Sequence, residues 1–162
     1  MTQPPITLQK ADPADAAFLL SVYASTRESE LALTDWSDEQ KAQFCLMQFQ
    51  AQVAHYRQFY PDAQLAVIMS GDTPVGRLYV DRWAQEIRVM DITVIPEHRG
   101  KGIGTQLLKE LQDEAAAASK SLSIHVECHN PALHLYERLG FKLIEDKGLH
   151  LLMAWQAPDS LK

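Results

Sequence analysis

Val94-Ile95-Pro96-Glu97-His98-Arg99-Gly100-Lys101-Gly102-Ile103-Gly104 decides the fold, because it joins a strand-like run to a helix-like one. Upstream, Ile87 to Val94 is a strand candidate ended by Ile95-Pro96. Downstream, Ile103, Leu107, Leu108, Leu111 and Ala115 recur at the spacing of one helix face. Successive glycines at such a junction let backbone N–H groups converge on an anion, and the helix N-terminus adds partial positive charge. The local chemistry is therefore that of a diphosphate site. Arg99 adds a charge-assisted contact to phosphate, and Lys101 either does the same or points into solvent.

The glycine spacing separates this loop from two others. A Walker A loop needs Ser or Thr after its Lys, and here Gly102 follows Lys101. A dinucleotide fingerprint needs G-x-G-x-x-G, whereas Gly100, Gly102 and Gly104 give G-x-G-x-G. Glu127 does lie at a suitable distance for a ribose-binding acid, so a dinucleotide site is retained as the weaker reading.

Working outward, Ile6 to Lys10 reads as a strand, and Asp12-Pro13 starts a helix carrying Phe18, Leu19, Val22 and Tyr23. Ser37 and Gln40 form a capping-box pattern for a longer helix that stops at Tyr60-Pro61. Gln64 to Arg82 reads as a hairpin about Ser70-Gly71-Asp72-Thr73-Pro74. Beyond the glycine-loop helix come a strand, Leu122 to Glu127, a short helix from Pro131 to Leu139 ended by Gly140, and a closing hairpin around Lys147-Gly148. The predicted order is strand, two helices, three strands, helix, strand, helix, two strands. No linker-like stretch divides the chain, so residues 1–157 are expected to form one domain and 158–162 a loose tail.

A net charge of -6 over 162 residues argues against general nucleic-acid or anionic-membrane binding. No segment approaches the roughly 18 apolar residues of a membrane span, and a cytoplasmic location is the default expectation. Cys45 and Cys128 have neither disulfide-framework nor zinc-site spacing; Cys45 reads as core, and Cys128 as inert packing before a reactive thiol. His125, Glu127 and His129 share a strand face and mimic a metal site, but the C-x-x-C partner that His-x-Glu would need in a zinc deaminase is absent, so no metal is expected.

The block from Val94 to Gly104 resembles the acetyl-CoA motif of GNAT acetyltransferases, Q/R-x-x-G-x-G/A, with Arg99, Gly102 and Gly104 filling it. A second block, Asn130 to Phe141, resembles that family's later motif, and the element order spans the whole chain in the family's arrangement. The resemblance implies a mixed α/β (α+β) fold, with a largely antiparallel sheet of seven strands flanked by four helices. It also implies N-acetyl transfer from acetyl-CoA to a primary amine of a small molecule or protein, by direct attack in a ternary complex. Backbone groups of Ile92, Thr93 and Val94, at a bulge that splays the strand, would bind pantetheine. Arg99, Gly100, Lys101, Gly102, Ile103, Gly104 and Thr105 would hold the pyrophosphate, Asn130 would bond the pantetheine arm, and Tyr136 would protonate the departing thiolate.

The chemistry also asks for a base. A lysine-like amine of pKa about 10.4 costs about 4–5 kcal/mol to deprotonate at pH 7. Glu127, Asp91 and Glu86 are the candidates, in that order, each equally readable as a surface carboxylate. Glu28, Glu30 and Asp35 can attract a cationic amine and Trp36 can stack on it, although Trp36 also reads as a hydrophobic staple before the second helix. A CoA-binding or protein-interaction module without catalysis is the alternative from another class. Acceptor identity and oligomeric state are left open, a homodimer through sheet or helix edges included.

Overall fold

The computed structural model describes residues Gln3–Pro158; four of the five residues of the expected tail lie outside them.

The strands are β1 (Ile6–Lys10), β2 (Gln64–Ser70), β3 (Thr73–Arg82), β4 (Glu86–Val94), β5 (Ser121–Glu127), β6 (Lys142–Asp146) and β7 (His150–Trp155). The helices are α1 (Ala16–Ser25), α2 (Glu28–Leu31), α3 (Asp38–Phe59), α4 (Ile103–Ala117) and α5 (Leu133–Arg138). One seven-stranded sheet has the order β1-β2-β3-β4-β5-β7-β6. β4 and β5 run parallel, joined by the α4 crossover, while β1–β2, β5–β7 and β6–β7 are antiparallel.

The expected order holds, with one helical turn added. The acidic segment read as a loop contains α2, whose Leu31 is buried with Leu19, Tyr23, Cys45, Phe49 and Val67. Four residues are too few to display a period, so nothing in the pattern announces this turn. The α3 start is as expected: Ser37 Oγ accepts from the Gln40 amide at 3.2 Å, and Gln40 Oε1 accepts from the Ser37 amide at 2.9 Å. The hairpin turn is tighter than expected, with Gly71 at φ 59° and Thr73-Pro74 already in β3.

The chain divides into two compact units, Met1–Leu78 with Thr93–Lys101, and Tyr79–Ile92 with Gly102–Lys162. The first contains β1, β2, α1 to α3 and the Leu31 core. Within it Gly76 lies against β4 so closely that a Cβ there would sit 2.1 Å from the Thr93 carbonyl oxygen. The second packs Ile87, Val89, Leu107, Leu108, Leu111, Leu122, Ile124 and Val126, all buried, from β4, α4 and β5. Arg82 and Glu114 tie β3 to α4 there by two hydrogen bonds, of 2.6 and 3.0 Å. Among the described residues, no helix is long and apolar enough to cross a membrane.

Candidate active site

β4 and β5 form a fork. Their parallel ladder runs from Glu86↔Ser121 to Val89↔Ile124 and stops, and beyond it β5 pairs only with β7, as far as Glu127↔His150. The β4 backbone past Val89 therefore faces no β5 partner; the family resemblance implies an opening at Ile92 to Val94. A register shift lies in β6, between Leu143 and Glu145.

At the end of β4 the chain makes a 3₁₀ turn, Pro96–His98, and enters α4 through Gly102. Gly100 and Gly102 adopt φ of 77° and 78°, a left-handed backbone in which a side chain would be strained. Gly102 caps α4 with no side-chain hydrogen bond, and a Cβ built on Gly104 meets no atom within 4 Å. Gly104 has ordinary helical backbone, where alanine is the better residue. Neither space nor conformation within the protein requires glycine at 104. The space beside the first turn of α4 is open, next to a helix N-terminus whose unsatisfied amides favour an anion.

Arg99 and Lys101 are partly engaged locally. Arg99 Nε donates to the Val94 carbonyl at 2.8 Å, bracing the loop against the strand, and Lys101 Nζ lies 3.3 Å from His98 Nδ1. The Val94 carbonyl is thus shared with the protein, a use the motif does not reveal. Asn130 is likewise engaged close to home. Its Oδ1 accepts from the Ala132 amide at 2.9 Å and shapes the entry to α5.

Tyr136 is 4 % exposed on α5, its ring 5.9 Å from that of Phe141. Burial pushes its hydroxyl well above the usual tyrosine range, and the Asp91 carboxylate pushes it further. The phenol consequently holds its proton throughout the physiological range.

The three carboxylates occupy different settings. Strand alternation puts Asp91 with the buried Ile87 and Val89, on the Tyr136 side, and Glu86 with Arg88 on the other. Glu86 is committed: it takes two hydrogen bonds from Arg88, at 3.0 and 3.3 Å, and a short one from Ser123. Glu86, the third-ranked base candidate, is thus engaged by both neighbours. Glu127 lies two residues beyond His125 on the face shared by Ser123.

Sequence reasoning missed the network that binds Glu86. Arg88 Nε donates to Ser123 Oγ at 2.7 Å, its guanidinium stacks 4.9 Å from the Trp83 ring centre, and its Nη1 lies 3.4 Å from His125 Nδ1. Lys147, from the β6–β7 turn, approaches His125 Nε2 at 3.4 Å. These residues come from separate parts of the chain and meet only through the β4–β5 register, which leaves no local mark in the sequence. Among the described residues, no group of three His, Cys, Asp or Glu side chains is placed to hold a metal ion.

On the acceptor segment, Glu30 pairs with Arg27 at 2.9 Å, and Trp36 packs edge-on against Phe44 at 5.4 Å. Trp36 therefore works as the staple to α3, while Glu28 remains an exposed charge of α2.

The family model described as "Acetyltransferase (GNAT) domain" matches residues 61–143. Streptothricin acetyltransferase of Streptomyces lavendulae is 40 % identical over 62 residues, covering 36 % of this chain and 32 % of its own. Mycothiol acetyltransferase of Corynebacterium glutamicum is 29 % identical over 114 residues, covering 68 % and 38 %. The chain thus spans about a third of the length of these curated relatives. In fold it is similar to PaiA N-acetyltransferase of Thermoplasma acidophilum, solved in complex with coenzyme A. That match has a TM-score of 0.71 at 18 % identity, over 94 % of this chain and 99 % of that one. With the family match running from the end of α3 through the glycine loop, the fork and α5, this chain belongs to the GNAT acetyltransferase family.

Proposed function

We propose that this chain transfers an acetyl group from acetyl-CoA to a primary amine of a small molecule or protein, within a ternary complex. The observation that carries the reading is Gly104, a glycine in the first turn of a 15-residue helix that nothing inside the protein requires. Amides of Gly102 to Thr105, with Gly100, Arg99 and Lys101 before them, would hold the diphosphate. The open β4 edge at Ile92, continuing to Thr93 and Val94, would receive the pantetheine, and the Asn130 amide would bond its arm.

Acetyl-CoA supplies an acyl carbon attached to a thiolate leaving group. The chain's residues must orient the thioester in the fork, admit the acceptor as a neutral amine, and keep a proton ready for the leaving sulfur. Tyr136 meets the third need, since its buried hydroxyl remains protonated. In the overall exchange a C–N bond forms, the C–S bond breaks, and the amine's proton ends on the thiol. Among the carboxylates, Asp91 and Glu127 remain candidates to receive the amine's proton, while Glu86 is engaged by Arg88 and Ser123. Cys45 and Cys128 are not paired with each other, and a cytoplasmic setting is part of the proposed reading.

The test mixes purified protein with acetyl-CoA and a broad amine panel and follows free thiol. Turnover is expected for at least one amine, and Tyr136→Phe should lower kcat by about 100-fold or more while leaving acetyl-CoA affinity within about twofold. Acetyl-CoA binding without turnover across the panel favours a non-catalytic module; undiminished turnover in Tyr136→Phe removes the tyrosine from its role.

A further inference from the structure

The cluster around His125 is short of hydrogen-bond acceptors. His125 is the first β5 residue past the β4–β5 ladder, half-buried at the opening of the fork. Arg88 Nη1 stands 3.4 Å from one ring nitrogen and Lys147 Nζ 3.4 Å from the other. Both neighbours only donate, and a neutral imidazole offers one accepting nitrogen and one N–H. In either tautomer, therefore, the imidazole N–H faces a cation. Glu86 answers the Nε and Nη2 side of Arg88 and the Ser123 hydroxyl, but the Nη1, Lys147 and imidazole donors share too few acceptors.

The field at this point is positive. Burial first, then Arg88, Lys147 and His150, hold the His125 pKa below its usual value, against a weaker opposing pull from Glu145. The ring is thus neutral near pH 7, and its surroundings disfavour the imidazolium. With Glu86 offsetting Arg88, one added negative charge suits the cluster better than two.

We infer that Arg88 Nη1, Lys147 and His125 form an anchoring subsite for a carboxylate carried by the acceptor, so that the acceptor is an amine of amino-acid type. The inference deepens the acetyl-transfer reading and rests on it for the position of the thioester in the fork. It also eases the search for a base. The same positive field that disfavours the imidazolium disfavours the acceptor's ammonium, so a carboxylate-anchored amine loses its proton more readily than it does in water. Lys147 is the principal anchor, because its ammonium, on an exposed turn, carries no ion pair with a carboxylate among the interactions of this cluster.

Two measurements test this. In the first, the common L-amino acids, their amides, and carboxylate-free polyamines are compared by thiol release at pH 7.5. At least one acid should exceed its amide by about tenfold or more in kcat/KM, the loss expected from one hydrogen bond to a charged group. Lys147→Met should raise the KM for that acid by a similar factor and erase the acid–amide preference, with the KM for acetyl-CoA unchanged within about twofold. Amides or polyamines used as well as acids, or an unaltered KM in Lys147→Met, overturn the inference while leaving acetyl transfer intact.

The second measurement is independent of turnover. The His125 ring Cε1–H resonance, assigned through His125→Gln, is followed while acetate or acetamide is added at constant ionic strength. Acetate should shift it saturably, acetamide should not, and Lys147→Met should abolish the shift. If acetate leaves the resonance unmoved, the subsite is refuted whatever the amine panel shows. If acetate binds as described and no amine is acetylated, the acetyl-transfer reading fails and the carboxylate site stands.

Discussion

At the residue scale, the three glycines of the loop divide into two whose backbone requires glycine and one, Gly104, whose backbone does not. Gly100 and Gly102 have left-handed backbones, so any substitution there strains the chain and confounds the loss of binding. Gly104 has neither a positive φ nor a neighbour that a Cβ would touch. Alanine at this helical position should leave stability unchanged or raise it by up to about 1 kcal/mol, the difference in helix propensity. The motif admits alanine at this position, so the methyl should leave acetyl-CoA affinity within about threefold, whereas Gly104→Glu, which puts a long negative side chain into the open space, should weaken it by about tenfold or more, the equivalent of at least about 1.4 kcal/mol. Thermal melting of Gly104→Ala and calorimetric titration of both variants measure the two effects separately. Undiminished acetyl-CoA affinity in Gly104→Glu would show that the open space at Gly104 is not where the diphosphate lies. At Tyr136 the burial that makes it a core residue also keeps its hydroxyl protonated.

At the element scale, the fork depends on how β3 holds β4. Gly76 permits an approach at which an added Cβ would lie 2.1 Å from the Thr93 oxygen, 3.0 Å from the Val94 Cα and 3.1 Å from the Thr93 carbonyl carbon. All three are backbone atoms, so no rotamer can relieve the overlap, and the strands must separate. Gly76→Ala should cost about 3 kcal/mol or more, at the upper end of overpacking penalties, and lower Tm by about 6–12 °C. A melt within about 2 °C of the wild type would mean that the two strands are free to part here. The elements themselves were largely legible beforehand. The capping box at Ser37 and Gln40, the period of α4, and the Gly140 stop each act through neighbours close in sequence, and each appears where expected. The α2 turn was hidden because it is stabilised by burying Leu31 rather than by a repeating pattern. The register that sets Arg88 beside Ser123 was hidden for a related reason: a parallel pair joined through a helix leaves no turn whose length fixes the alignment. Hence the loop and Tyr136 can be named as candidates from motifs, whereas the network in which Arg88 engages the third-ranked Glu86 depends on long-range register and leaves no such mark.

At the scale of the whole molecule, the expectation of one domain over residues 1–157 meets a chain that forms two compact units. The path of the chain favours joint unfolding. β3 passes from the first unit to the second between Leu78 and Tyr79, β4 returns between Ile92 and Thr93, and the glycine loop crosses again between Lys101 and Gly102. β3 and β4 therefore each supply residues to both units. Independent domains, by contrast, are joined where few contacts cross, in linkers of which this chain has none. We expect a single calorimetric transition of about 110 kcal/mol at Tm, from about 0.7 kcal/mol per residue, with calorimetric and van't Hoff enthalpies in agreement. Acetyl-CoA should move that one transition upward as a whole, because a ligand of the native state stabilises everything that unfolds with its site. Two resolved transitions, only one of them shifted by acetyl-CoA, would instead assign the units to separate domains.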